Sequence, residues 1–435
     1  MTVQAPLPNK WTKYLVDVYV QGHPPILGTV DIKTIEEKAR EAMKDHMAAY
    51  MYTFGSAGTC STDRANTKAF ENYKLVPRML VDVTNRNIET TIFGVTYPSP
   101  LLVAPIGVQG ALHADGELAT ASAAGKVGVP FIMSTASCRS IEDVAKANGP
   151  NGHRWYQLYW PRTTEVTLSL LKRAKGNGFT ALVITLDTMI LGWRPHDLGT
   201  AYLPFACGVG IQVGTSDPVF MKRFGLPPRE NERTKFPVEP EKIRMAGLEQ
   251  GDEEVLRNMS LGKEWLAEVN SGAFRTWDQL KFIRDNWEGP IVLKGIQRVD
   301  DAEKAITQGI DGIIVSNHGG RQVDGAIASL DALDNIMRSH KVQAAQKSGK
   351  LTILFDSGVR TGSDVLKALA IGAQGVLIGR PAMYGLAIAG QEGVEQILLQ
   401  TICEMHMNLG LCGYGSVKEI IGKKDEVLAT LHYKL

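Results

Sequence analysis

The sequence predicts an α/β fold: a single parallel (β/α)8 TIM barrel with an N-terminal helical extension and a long insertion after strand four. Three observations carry this. From Leu101 onward, eight short apolar runs recur, each ending in a polar or glycine-rich turn. Helical stretches follow most of them, and strands this uniformly apolar belong in parallel sheets buried on both faces. The tract Leu101–Gly390 has the roughly 250-residue length of such a barrel plus one insertion. An open doubly wound sheet is the rival on pattern alone.

The whole chain, 1–435, reads as one domain. Residues 1–100 form the extension, in which Ile32–Tyr50, rich in Glu, Lys and Ala, reads as a surface helix. Strands are expected at Leu101–Ala104, Phe131–Ser134, Arg154–Tyr159, Ala181–Leu186, Ile291–Lys294, Gly312–Ser316, Thr352–Phe355 and Gly375–Ile378. The clearest helices are Glu117–Lys126, Ile141–Ala147, Thr164–Lys175, Asp300–Gln308, Ser329–Ser339 and Gly362–Leu369. The barrel therefore occupies 101–390, and 391–435 is a closing helical segment. Between strands four and five, residues 198–275 far exceed the usual connection of about 2–6 residues. Their charged middle, Met221–Trp265, holds Pro227-Pro228, Pro237 and Pro240. At the carboxyl end of a strand, such a segment is expected to be a mobile active-site lid.

Composition excludes several classes. Lys+Arg number 47 and Asp+Glu 46, a net charge of +1, which argues against nucleic acid. With 44% hydrophobic and 21% charged residues the chain is not disordered. No window holds the roughly 18 uninterrupted apolar residues of a membrane span. Five cysteines without a C-x-x-C pair argue against a disulfide framework or a zinc cage, so no metal is expected and a reducing compartment is. Met1–Lys10 lacks the apolar core of a secretory signal. The cytoplasm is the expected address. The peroxisome is the alternative, because Tyr433-Lys434-Leu435 ends like Ser-Lys-Leu but with Tyr where a small residue belongs.

In such a barrel the chemistry lies at the carboxyl ends of the strands. Read in order, these ends carry Pro105-Ile106-Gly107, Ser134-Thr135, Gln157-Leu158-Tyr159, Thr185-Leu186-Asp187, Lys294-Gly295, Ser316 through Arg321, Asp356 through Arg360, and Gly379-Arg380. Gln157/Tyr159, Thr185/Asp187 and Ser316/His318 share a spacing of two, which puts each pair on one face if the strand continues regularly. An unpartnered buried polar group costs about 1–3 kcal/mol, so several converging at strand ends suggest a polar ligand. Taken singly, each is ordinary turn chemistry.

Glycines and arginines after the last two strands match the phosphate site that barrels often build there. Gly358 and Gly379 free backbone N–H groups, a helix amino terminus near Thr361 adds positive potential, and Arg360 and Arg380 add charge. Pairing with surface carboxylates is the plain structural reading of these arginines; a phosphorylated cofactor is the functional one. Lys294 puts a cation in the barrel mouth. His318 suits a general base, with Asp187 to polarise it. Arg194 and Arg321 would give bidentate recognition of a carboxylate.

Ser316-Asn317-His318-Gly319-Gly320-Arg321-Gln322 closely resembles the signature of the FMN-dependent 2-hydroxy-acid oxidase family. The resemblance extends through Gln157-Leu158-Tyr159, Ile184 to Thr188, Leu293-Lys294-Gly295, Phe355 to Arg360 and Ile378 to Pro381. It implies that Lys294 lies by the flavin N1/O2 edge. Ser134, Gln157 and Thr185 then bond the ring, and the backbone of Pro105, Ile106 and Gly107 faces its N5. Asp356, Ser357, Gly358, Arg360, Gly379 and Arg380, with Ser316 nearby, hold the ribityl chain and phosphate. Tyr52 and Tyr159 meet the substrate, Arg194 and Arg321 bind its carboxylate, and His318 takes a proton with Asp187 behind it. Tyr52 rests on the resemblance alone.

The segments Ala104–Val108, Leu191–Pro195 and Asp217–Phe220 look most like the lactate monooxygenases of that family. Many of its oxidases have alanine where Gly107 stands. The implied activity is oxidation of a small, lactate-like L-2-hydroxy acid with O2, followed by oxidative decarboxylation of the bound keto acid. An oxidase releasing 2-keto acid and hydrogen peroxide is the alternative. An FMN-dependent barrel isomerase would share the phosphate site but not need His318 and both arginines. A homo-oligomer, tetramer or octamer, is also implied.

Overall fold

The computed structural model describes residues 9–431. The first eight residues and the terminal Tyr433-Lys434-Leu435, which bear on the signal and the peroxisomal address, lie outside the described residues. Three short strands precede the barrel: β1 (Tyr73–Leu75), β2 (Thr90–Ile92) and β3 (Val95–Tyr97). The barrel strands are β4 (Leu101–Val103), β5 (Phe131–Ser134), β6 (Arg154–Leu158) and β7 (Leu182–Thr185). They continue with β8 (Ile291–Ile296), β9 (Gly312–Val315), β10 (Thr352–Phe355) and β11 (Gly375–Ile378). Parallel pairing runs in chain order, and β11 pairs back with β4 to close the ring. The doubly wound alternative is excluded.

Closure explains the composition of the strands. Alternate residues point inward, and Leu102, Ile132, Trp155, Val183, Val292, Ile314, Leu354 and Leu377 fill the barrel. Their neighbours face the helical ring, so neither face meets water. Burying each large apolar side chain contributes about 1.5–3 kcal/mol.

The sequence predicts a helical extension and a helical closing segment, but both also contain strands. β2 and β3 form an antiparallel hairpin. Its Ile92, Phe93 and Tyr97 pack on the barrel interior from the amino-terminal end, with the Phe93 ring 5.5 Å from that of Trp155. The glycines opening β9 and β11 make room for it, since a Cβ on Gly312 would lie 2.9 Å from Phe93 and one on Gly375 2.9 Å from Ile92. Strand β12 (Leu428–Thr430) pairs antiparallel with β1, tying the two ends of the chain together. The helix Arg380–Leu411 crosses the expected boundary at 390/391 and breaks there, at Ala389 and Gly390 (φ 56°). The single helix expected over Ile32–Tyr50 is two, Ile32–Ala42 and Met47–Phe54, separated at buried Met43 and a 3-10 turn.

The insertion also departs from expectation. It is built of short helices and one long one, Glu253–Val269, rather than bare loop. Trp265 locks it in place. The indole is fully buried 5.1 Å from the Phe220 ring, and a Cβ on Gly214 would lie 2.4 Å from it. Among the described residues, no helix is long and apolar enough to cross a membrane.

Candidate active site

The carboxyl ends of β4 to β11 surround a cleft with about 1140 Å³ of space free of protein atoms. Its wall over β4 is the backbone Ala104–Val108, whose Pro105, Ile106 and Gly107 line the cleft. This strip is strained and pinned. Val108, a β-branched residue, sits at φ 60° and donates its N–H to Ala136 O at 2.8 Å. A Cβ on Gly107 would lie 2.5 Å from the Ala136 Cβ, so the absent methyl is what lets the two loops touch. Beneath them, fully buried Glu117 accepts through Oε1 from the N–H groups of Gln109 and Cys138, both at 3.0 Å. Burial raises its carboxyl pKa, against the pull of those two bonds.

Two polar chains cross the strand ends. Ser134 Oγ donates to Gln157 Oε1 at 2.9 Å, and Gln157 Nε2 donates to Thr185 Oγ1 at 2.9 Å. Lys294 Nζ donates to Ser316 Oγ at 3.0 Å and lies 3.3 Å from Asp356 Oδ2. Ser357 Oγ donates to Asp356 Oδ1 at 2.8 Å. Lys294, Asp356 and Ser357 line the cleft, while Ser134, Gln157, Thr185 and Ser316 sit one layer deeper, buried and partnered.

His318 Nδ1 lies 2.9 Å from Asp187 Oδ1 and 3.1 Å from Thr188 Oγ1, and Thr188 Oγ1 donates to the same carboxylate oxygen at 3.0 Å. This network assigns the proton to Nδ1 and leaves Nε2 as the free, basic ring nitrogen. Burial pushes the imidazole below its usual 6.5, with Asp187 opposing and Lys294 assisting. Burial would raise the Asp187 carboxyl, but His318 and Lys294 hold it down to about 2. The pair therefore rests as carboxylate and neutral imidazole. Regular strand spacing does not place His318: β9 ends at Val315, and the residue reaches the cleft in a left-handed turn at φ 60°.

The two guanidinium groups are unequal. Arg321 gives Nη1 to the carbonyls of Thr53 and Gly55 and Nη2 to that of Tyr52, at 2.6–3.1 Å. Burial, with Arg194 and Arg380 nearby, lowers its pKa to about 9, which leaves it charged at neutral pH. Arg194 gives Nε to Arg321 O and Nη2 to Gln322 Oε1, and its Nη1 is 3.9 Å from Asp197. More of its N–H groups stay available for a ligand. Tyr52 and Tyr159 line the same part of the cleft, and burial raises both phenols to about 12.

At the last two strands, Ser357 (φ 84°) and Gly358 (φ 88°) turn the backbone toward the cleft. The expected helix terminus near Thr361 is closed. Thr361 and Asp364 form a capping box, and Gly362 N–H goes to Glu404. The open terminus is that of the helix beginning at Arg380, whose first turn has no side-chain cap. A Cβ on Gly379 would meet only Ile106 at 3.5 Å and Ala104 at 3.9 Å. Among the described residues, the Arg360 guanidinium bonds only Val359 O. Arg380 is held by Asp63, Ser56 and the carbonyls of Gly55 and Gly319, with a buried, unpartnered Nε. A flat wall, a polar edge and a cationic end at an uncapped helix terminus fit a planar heteroaromatic ring carrying a phosphate.

Sequence reasoning passed over several residues. Thr188 and Gln322 stand inside the motifs without a role, yet Gln322 joins Arg194 to the Asp187 carbonyl. Glu117, Phe205, Leu266 and Val269 carry no distinctive spacing.

A family model for FMN-dependent dehydrogenase matches residues 39–428. The chain is 46% identical over 391 residues to the FMN-dependent alpha-hydroxy acid dehydrogenase qulF of Penicillium citrinum, covering 90% of this chain and 89% of that one. It is 40% identical over 367 residues to an L-lactate oxidase of Lysinibacillus sphaericus, covering 84% and 85%. A crystal structure of mandelate oxidase matches with a TM-score of 0.72 at 33% identity, over 93% of this chain and 98% of that one.

Proposed function

Because the chain belongs to the FMN-dependent dehydrogenase family, we propose that its cleft oxidises a small L-2-hydroxy acid with O2 as electron acceptor and decarboxylates the keto acid before release. FMN is the cofactor, and when bound it would supply the two-electron redox chemistry between the substrate and O2. Lys294 would hold its ring edge, backed from the deeper layer by Ser134, Gln157 and Thr185, with Pro105, Ile106 and Gly107 as the wall. Asp356, Ser357, Gly358, Arg360, Gly379 and Arg380, with Ser316 behind them, would hold its ribityl and phosphate. The observation that carries the reading is the His318–Asp187 pair in one cleft with two guanidinium groups.

Arg194 and Arg321 bind the substrate carboxylate, and Tyr52 and Tyr159 orient the hydroxyl end. His318 accepts a proton at Nε2 as the alcohol becomes a ketone. Asp187 stabilises the imidazolium so formed, and Lys294 would place a cation beside the ring edge of the bound cofactor. Decarboxylation balances as hydroxy acid plus O2 giving the carboxylic acid one carbon shorter, carbon dioxide and water. The insertion helix over the cleft and the close Gly107–Ala136 contact support retention of the keto acid.

The oxidase alternative, releasing keto acid and hydrogen peroxide, draws on the lactate-oxidase relatives. An isomerase has no use for paired arginines beside a free imidazole. The purified protein should show a flavin spectrum that bleaches anaerobically with an L-2-hydroxy acid. On admitting O2, the shortened acid and carbon dioxide should form. Stoichiometric keto acid and peroxide would replace decarboxylation by the oxidase reading, and a flavin that no hydroxy acid reduces would refute both.

A further inference from the structure

We propose that the substrate subsite of this cleft takes an aliphatic side chain longer than the methyl group of lactate. The inference rests on the hydroxy-acid reading above and names the substrate class within it. It comes from the insertion helix Glu253–Val269, which roofs the cleft over the histidine.

The helix is brought down by a contact that only glycine permits. A Cβ on Gly262 would lie 1.9 Å from the carbonyl oxygen of Phe205. Leu266 and Val269 follow at the fourth and seventh positions, on the same helix face. Both line the cleft, as does Phe205. The next residue, Asn270, donates Nδ2 to Thr188 O at 2.9 Å, and the Thr188 hydroxyl lies 3.1 Å from His318 Nδ1. The apolar face therefore ends on the residue that supports His318, and the proposal seats the 2-substituent of the hydroxy acid against it.

The charged residues of this helix turn elsewhere. Glu268 is fully buried and spent on Thr163 and Arg223, away from the opening. The roof thus offers Phe205, Leu266 and Val269 to an aliphatic chain and no ionic partner to a polar one. A methyl group would leave much of that surface without contact.

The test uses the FMN-loaded protein. Anaerobic flavin reduction is followed with L-lactate, L-2-hydroxyhexanoate and L-malate. Binding without turnover is read from the perturbation of the flavin spectrum by pyruvate and by 2-oxohexanoate. Each buried methylene is worth about fourfold, so L-2-hydroxyhexanoate should exceed L-lactate in kcat/KM by about tenfold or more, with L-malate poorest. 2-Oxohexanoate should likewise bind at least about tenfold tighter than pyruvate. Leu266→Asn should abolish most of both preferences, with FMN content checked. If that variant fails to hold flavin, Val269→Ala should reduce them in the same direction. Equal or better reduction by L-lactate, or preferences unchanged in the variants, would overturn the proposal and leave hydroxy-acid oxidation standing. Reduction by none of the acids refutes the functional reading itself, and the keto-acid titration then still reports on the subsite.

Discussion

Arg321 Nη2 donates to the carbonyl oxygen of Tyr52 at 2.6 Å, across 269 positions of sequence. Together with its bonds to Thr53 and Gly55, this holds the carboxyl end of the helix Met47–Phe54 at the mouth of the barrel. The negative end of the helix dipole and a buried cation are well matched there. One guanidinium thus both lines the cleft and places the tyrosine beside it.

Substitution of the two arginines should separate these roles. Arg194→Met should raise KM by roughly tenfold to a hundredfold, the worth of a charged hydrogen bond of about 1.5–3 kcal/mol, with a smaller change in kcat. Arg321→Lys keeps the charge but loses the planar fork whose two nitrogens reach three separate carbonyls, so KM should rise and kcat fall together as Tyr52 shifts. Steady-state kinetics with one hydroxy acid would decide it, and identical KM-only effects would count against the tethering role.

The pH profile follows from His318. Its neutral form is the base, and burial lowers its pKa, so the acidic limb of kcat/KM should be centred below pH 6.5, with activity kept above it and lost as pH falls through it. Asp187 stays ionised across that range, because its own pKa is near 2. His318→Gln should retain FMN and slow anaerobic reduction by about 10²–10⁴-fold, and near-normal reduction would remove His318 from the mechanism.

Arg360 and Arg380 should differ as phosphate ligands. The Arg360 guanidinium has no carboxylate partner among the described residues, so Arg360→Met should weaken FMN binding by roughly tenfold to a hundredfold without lowering stability. Arg380→Met should do both, since it also unties Asp63, Ser56 and two carbonyls. FMN titration of the apoprotein, paired with denaturant midpoints, measures the two effects. Equal loss of stability in both variants would contradict the assignment.

Glu117 is expected to matter through its acceptor oxygen rather than its charge. Glu117→Gln keeps an oxygen for Gln109 and Cys138, whereas Glu117→Ala strands two buried N–H groups at about 1–3 kcal/mol each. The alanine variant should therefore unfold at a markedly lower denaturant concentration than the glutamine variant. Coincident transitions would show that neither bond is needed.

The barrel was legible in the sequence because parallel strands buried on both faces leave uninterrupted apolar runs, whatever surrounds them. Lys294, His318 and Asp187 were legible for a related reason, since Lys294 lies on its strand and the other two follow theirs within a few residues. Their mutual geometry was not. His318 arrives through a left-handed turn, and the helix terminus near Thr361, plausible as a phosphate site, is closed by Asp364 and Glu404 while the one at Arg380 stays open.

Local pattern therefore determined the fold class, the strand order and the chemistry at each strand end, because those depend on neighbours close along the chain. Contacts across long separations settled the rest. Tyr52 is placed by Arg321, the hairpin of β2 and β3 is drawn into the barrel floor, and Leu266 reaches the cleft on a helix that Gly262 lets meet Phe205. None of these leaves a periodic signature, since a side chain that packs against a distant segment needs only to match its shape and polarity.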